Sequence, residues 1–121
     1  MIGYVTLGTN DIARAAAFYD ELLKELGATR GMESDSFVAW SVKPGTPMVS
    51  VIKPFDGKPA TAGNGAMVAI AAGAPAKVDA LHARALALGG TDEGAPGPRG
   101  GTFYAAYCRD LDGNKLAFFH M

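Results

Sequence analysis

The sequence carries a single cysteine, Cys108, in 121 residues. One cysteine excludes an internal disulfide framework and fits a reducing, cytoplasmic compartment. Histidine is almost as scarce, with only His82 and His120, and a bound transition metal needs several convergent donors. No sign of charge dominates: 11 lysines and arginines face 12 aspartates and glutamates, for a formal net charge of −1. That balance excludes a global basic field able to recruit nucleic acid or an anionic membrane. The opening residues Met-Ile-Gly-Tyr-Val-Thr have no charged leader, and no apolar run approaches the roughly 20 residues needed to span a bilayer. No Ser/His/Asp set with a recognisable spacing is present. Gly63-Asn64-Gly65 precedes a strand instead of opening a helix, so it is not a phosphate loop.

What remains is 49% hydrophobic and 19% charged, enough for one globular domain with a sizeable core and too apolar for a disordered tail. Ile2 to Gly8 alternates as a strand does. Thr9-Asn10-Asp11 supplies a helix start, with Asn10 expected as the cap. Ile12, Ala15, Ala16, Tyr19, Leu22, Leu23 and Leu26 then draw one apolar stripe at helical spacing, stopped by Gly27. Strands are expected at Arg30 to Met32, Ser36 to Val42 and Met48 to Lys53. The segment Pro54 to Gly65, rich in proline and glycine and without apolar period, reads as a linker.

After it the pattern restarts. Ala66 to Ala72 reads as a strand, and Pro75 suits a first helical turn. Val78, Leu81, Ala85 and Leu88 mark a helix face that Gly89-Gly90 ends. A short strand is expected at Thr91 to Glu93, then a long loop from Gly94 to Gly101. Last comes a hairpin of Thr102 to Arg109 with Lys115 to His120. Its turn, Asp110-Leu111-Asp112-Gly113-Asn114, joins side chains that cap their own backbone to a glycine free to take φ > 0. Tyr4 overlays Met67 and Leu7 overlays Ile70 at an offset of 63, and Ser50 overlays Ala117 at 67. The division is therefore a first βαβββ module over 1–53, a linker over 54–65 and a second module over 66–121.

Several stretches together resemble the glyoxalase/bleomycin resistance/dioxygenase (vicinal oxygen chelate) superfamily. They are Val5-Thr6-Leu7 with Asp11, Ala15 and Phe18-Tyr19; Gly63-Asn64-Gly65 with Met67-Val68-Ala69; Gly94-Ala95-Pro96-Gly97 with Arg99; and Tyr104-Ala105-Ala106-Tyr107 running into Asp110 to Asn114. The resemblance implies an α+β fold in which two βαβββ modules form one curved mixed sheet. Helices lie on its outer face, and the concave face makes a cup for a small molecule. It also implies a homodimer.

In metal-using members the seventh residue after the first Asp of the closing turn is a Glu that binds the metal; here it is Ala117. By the overlay, the four metal positions are Tyr4, Ser50, Met67 and Ala117, where the chemistry needs nitrogen or carboxylate donors at about 2.0–2.2 Å. The expectation is no metal and no cofactor. Candidate ligand-binding residues are Tyr4, Trp40, Ser50, Met67, Arg99, Tyr104 and Ala117, with Trp40 and Tyr104 as walls for an apolar or aromatic molecule and Arg99 able to pair with an anion. His82 reads as a surface or half-buried helix residue, His120 as helix-side or sheet-end, and Cys108 as a buried structural thiol. Three functions stay open. One is a metal-free binder of a small molecule. Another is a lactoylglutathione lyase-type lyase or isomerase, or a dioxygenase, with relocated or absent metal. The third is an interaction module.

Overall fold

A computed structural model describes residues 1–121. The first module runs β1 (Tyr4–Gly8), α1 (Ile12–Leu23), β2 (Thr29–Glu33), β3 (Phe37–Ser41) and β4 (Met48–Ile52). The second runs β5 (Val68–Ala71), α2 (Pro75–Ala87), β6 (Thr91–Pro98), β7 (Tyr104–Arg109) and β8 (Lys115–His120). The strands form two four-stranded mixed sheets, ordered β1-β4-β3-β2 and β5-β8-β7-β6, one to each half of the chain. In each half the first strand pairs parallel with the last, and the other pairs are antiparallel.

The stripe along α1 buries Ala15, Ala16, Tyr19, Leu22 and Leu23, joined by Phe18. That face packs on β2, β3 and β4 and meets α2, which itself packs on β6, β7 and β8. One cluster of 19 buried residues runs through both modules. Asp11, not Asn10, caps α1: its Oδ1 accepts from Arg14 N–H at 3.0 Å. Asn10 is used elsewhere, because its amide exchanges two hydrogen bonds with the backbone of Ala60, at 2.7 and 3.1 Å. That ties the connecting segment to the start of the helix.

The expected loop after Glu93 is instead strand as far as Pro98. Bulges between Asp92 and Gly94 and between Gly94 and Gly97 let a glycine- and proline-rich run pair at the sheet edge, where missing N–H donors are tolerated. His82 is more buried than expected, at 6% exposure, and its Nε2 lies 3.0 Å from Asp92 Oδ1. Gly90 admits no side chain: a Cβ there would lie 2.8 Å from Ala85 O and 2.9 Å from Arg109 O.

The closing turn joins the modules. Asp110 is 5% exposed, and its Oδ1 accepts the Asp112 and Asn114 N–H groups, each at 2.9 Å. Its Oδ2 accepts from Tyr19 Oη at 2.6 Å and Asn114 Nδ2 at 3.0 Å. Asn114 Nδ2 also donates to Gly8 O at 3.0 Å, so the last hairpin is bolted to β1 and α1. Around the rim, the exposed Arg84–Glu21 pair adds little, and Arg14 reaches to 3.6 Å from Asp112, whose side chain is 4% exposed.

Burial raises the Tyr19 phenol well above its ordinary pKa, helped by the Asp110 charge, and burial also pushes the Cys108 thiol up to about 12. Both folded values exceed the unfolded ones. Their contribution is therefore fully present below about pH 9 and is lost as pH rises toward the folded values. Urea midpoints measured at pH 8 and pH 10.5 are expected to fall, and a thiol reagent at pH 8 is expected to leave native Cys108 untouched but label it in urea.

Candidate functional site

Strand alternation gives each half of the sheet two faces. The helix face takes Val38, Trp40 and Val51 in the first half, and Ile70, Ala106, Cys108, Leu116 and Phe118 in the second; all are buried. The opposite face is fixed by register. Thr6, Ser50 and Ala39 form one row across β1, β4 and β3. Ala69, Ala117, Tyr107 and Gly94 form another across β5, β8, β7 and β6.

Trp40 and Tyr104 do not lie on that opposite face, a correction to their expected role as walls of the cup. Trp40 is 2% exposed and its ring centroid lies 5.6 Å from that of Tyr19. Its Nε1 donates to Asp20 Oδ1 at 2.8 Å. Arg30, donating to the same carboxylate, is the main cause of holding Asp20 below the usual carboxylate range, and Trp40 adds to it. Tyr104 packs against the core and donates from Oη to Asp79 of α2 at 2.7 Å, the bond chiefly responsible for raising its pKa. His120, opposite Tyr104 on β8, shares this helix side.

The other expected residues keep to the open face or its rim. Tyr4 is 58% exposed, with its ring edge-on to Phe37 at 6.3 Å. Ser50 is fully buried and its hydroxyl donates to Val5 O. Met67 is 45% exposed and lines a small cavity of about 120 Å³ with Thr6, Gly63 and Lys115, where the two halves adjoin. Ala117 lies beneath its neighbours at 2% exposure. No larger cavity gathers Tyr4, Ser50, Met67 and Ala117 together.

A cavity of about 640 Å³ opens at the end of the first half, among Gly3, Gly31, Ser41 and Met48. On the helix side, an apolar groove of about 260 Å³ runs between Trp40, Val42 and Val49 and the edge strand Ala69–Ala71. No three His, Cys, Asp or Glu side chains converge anywhere in the chain.

Residues that the sequence reading passed over crowd the open face of the second half. Tyr107 stands beside Ala117, with Arg99 Cζ and Lys115 Nζ each 5.6 Å from its ring centroid. Phe103 and Phe119 pair at 5.7 Å on the same half. The signal for Tyr107 was present in the hairpin, because a five-residue turn from Asp110 to Asn114 sets Arg109 opposite Lys115 and hence Tyr107 opposite Ala117.

Residues 1–118 match the sequence model of the Glyoxalase/Bleomycin resistance protein/Dioxygenase superfamily. The chain belongs to this superfamily. A glyoxalase/bleomycin resistance protein from Albidiferax ferrireducens T118 is 38% identical, with a TM-score of 0.90 over 100% of this chain and 98% of that one. A glyoxalase/bleomycin resistance protein/dioxygenase family enzyme from Burkholderia phytofirmans PsJN shares the fold at 21% identity and TM-score 0.76, over 97% and 95% of the chains. So does a lactoylglutathione lyase from Agrobacterium tumefaciens, at 22% identity and TM-score 0.72, over 98% and 92%. No curated protein matches the chain. At the positions that the two halves of the sequence overlay, this glyoxalase-superfamily chain carries a phenol, an engaged hydroxyl, a thioether and a methyl. No helix is long and apolar enough to cross a membrane.

Proposed function

We propose that the chain is a cytoplasmic, metal-free member of the glyoxalase superfamily. In this reading it binds a small apolar or aromatic molecule on the sheet face turned away from its helices. The observation that carries the reading is the pairing of a donor-poor quartet with an aromatic surround. Ala117 offers no donor, the Ser50 hydroxyl is engaged by Val5 O, Met67 is a soft thioether, and Tyr4 offers a phenol in place of an imidazole or carboxylate. On the same open faces Phe37, Tyr107 and Phe119 supply large, polarisable contact area. Tyr4, Ser50, Met67, Arg99 and Ala117 are the binding residues this reading retains, and Tyr107 joins them.

The test is calorimetric titration of metal-stripped protein with Zn²⁺, Ni²⁺, Fe²⁺ and Mn²⁺, beside titration with the neutral fluorophore N-phenyl-1-naphthylamine. Expected are no stoichiometric metal site and saturable binding of the fluorophore at one site per chain. One tight metal per chain, abolished by changing Tyr4 and Met67, would sink the metal-free reading.

Exposed apolar side chains and free strand edges also support a homodimer. Ile2, Tyr4, Val42 and Met67 are each more than two-fifths exposed, and the edge strands β1, β2, β5 and β6 are left without a partner on one side. Sedimentation at micromolar concentration is expected to give twice the chain mass; a monomer there would count decisively against it.

A further inference from the structure

Arg99 is exposed, yet it is held in place. Its Nη2 donates to Ala95 O at 2.6 Å and Nη1 to Pro98 O at 3.4 Å, while its guanidinium faces the Tyr107 ring. The seat depends on two glycines of β6. A Cβ on Gly97 would lie 3.2 Å from Nη1, and one on Gly94 would lie 3.5 Å from Nη2 and 3.0 Å from Tyr107 Cδ2. Lys115 reaches the same ring from β8, on the other side of β7. Neither cation forms an ion pair within the chain. The carboxylate in electrostatic reach of Lys115, Glu93, is engaged by Arg109 at 2.7 Å. A seated guanidinium and an ammonium, neither of them in an ion pair, thus flank an aromatic ring beside Ala117.

We infer that the site takes an organic acid: an aromatic or apolar body carrying one carboxylate, sulfonate or phosphonate, with the anionic group on Arg99 and drawn there by the added field of Lys115. Across the ladder from Tyr107, Ala117 offers only a methyl group, so nothing at that position opposes an anion drawn to the two cations. The guanidinium spends only two of its five N–H donors on the backbone, leaving a fork that matches the paired oxygens of such a group. The half-buried Tyr107 ring adds apolar contact area for the body of the ligand. This inference rests on the binding reading above and narrows it to one ligand class.

The test compares two probes of matched skeleton, 8-anilinonaphthalene-1-sulfonate and N-phenyl-1-naphthylamine, which differ by the sulfonate. Each is titrated by fluorescence into the parent, Arg99→Gln, Arg99→Lys and Arg99→Gln/Lys115→Gln. Expected is a loss of about tenfold in sulfonate-probe affinity for each cation removed, a partial loss for Arg99→Lys, and a distinctly smaller change in neutral-probe affinity in every variant. The parent's affinity for the sulfonate probe is also expected to weaken as salt rises. Neutral-probe binding with no sulfonate-probe loss in the double variant overturns the acid inference and leaves the binding reading standing. Equal loss of both probes also overturns it, since it assigns the cations a structural role. Failure of the parent to bind either probe overturns both.

Discussion

Replacing Asp110 with Ala is expected to lower the unfolding free energy by about 3–5 kcal/mol, a large share of what a domain of this size holds. The carboxylate accepts four hydrogen bonds while 5% exposed. Its removal strands a buried phenol, an amide and two backbone N–H groups, each costing roughly 1–3 kcal/mol where water cannot reach it. Asp110→Asn keeps the shape but turns an NH₂ toward donors, so an intermediate loss is expected. Tyr19→Phe removes one hydroxyl and leaves Asp110 with its other donors; about 1–2 kcal/mol is expected. Urea unfolding followed by Trp40 fluorescence reads all three, and a Tyr19→Phe/Asp110→Ala cycle is expected to be strongly non-additive. Additive losses would mean that the two groups do not act as a unit.

Trp40→Ala is expected to cost about 3–5 kcal/mol, as for other buried aromatics, while leaving probe affinity on the opposite face within about twofold. The indole is closed in by Tyr19 and by Val49 across the β3–β4 ladder, and its N–H is spent on Asp20. Trp40→Phe keeps most of the packing and loses that bond, for an expected loss nearer 1–2 kcal/mol. Circular dichroism with chemical denaturation measures the stability, and N-phenyl-1-naphthylamine titration measures the site. A small stability loss together with a large affinity loss would put Trp40 back among the ligand walls.

Much of the architecture was legible because it is written in period and punctuation. The α1 stripe from Ile12 to Leu23, Pro75 at the start of α2 and the Asp110–Asn114 turn each carry their own local cause. The sides of the sheet were not legible in the same way. Alternation commits Trp40 and Tyr104 to one face of a strand, but both faces of this sheet are partly covered, and nothing local says which face meets the helices. The hydrogen bonds that decide it reach Asp20 and Asp79, 20 and 25 positions away. Composition misled at Gly94 to Pro98, where glycine and proline mark a bulged edge strand as readily as a loop. The same composition concealed the seat of Arg99, since Gly94 and Gly97 serve to leave room for a guanidinium. Asn10 was mistaken for the cap because its partner, Ala60, lies in a segment with no pattern of its own.

The closing turn also sets the order in which the chain can be assembled. Tyr19 waits for Asp110, 91 positions later, and Gly8 for Asn114, 106 positions later. A nascent chain that has emerged only as far as Pro98 has every strand of its first module but no acceptor for the Tyr19 hydroxyl, and β5 still lacks its partner β8. Closure over such distances delays the rewarding contacts until late, which slows folding and lengthens the time that strand edges stand open to other chains. The protein's exposure to aggregation during synthesis is thus governed by how quickly its last hairpin arrives.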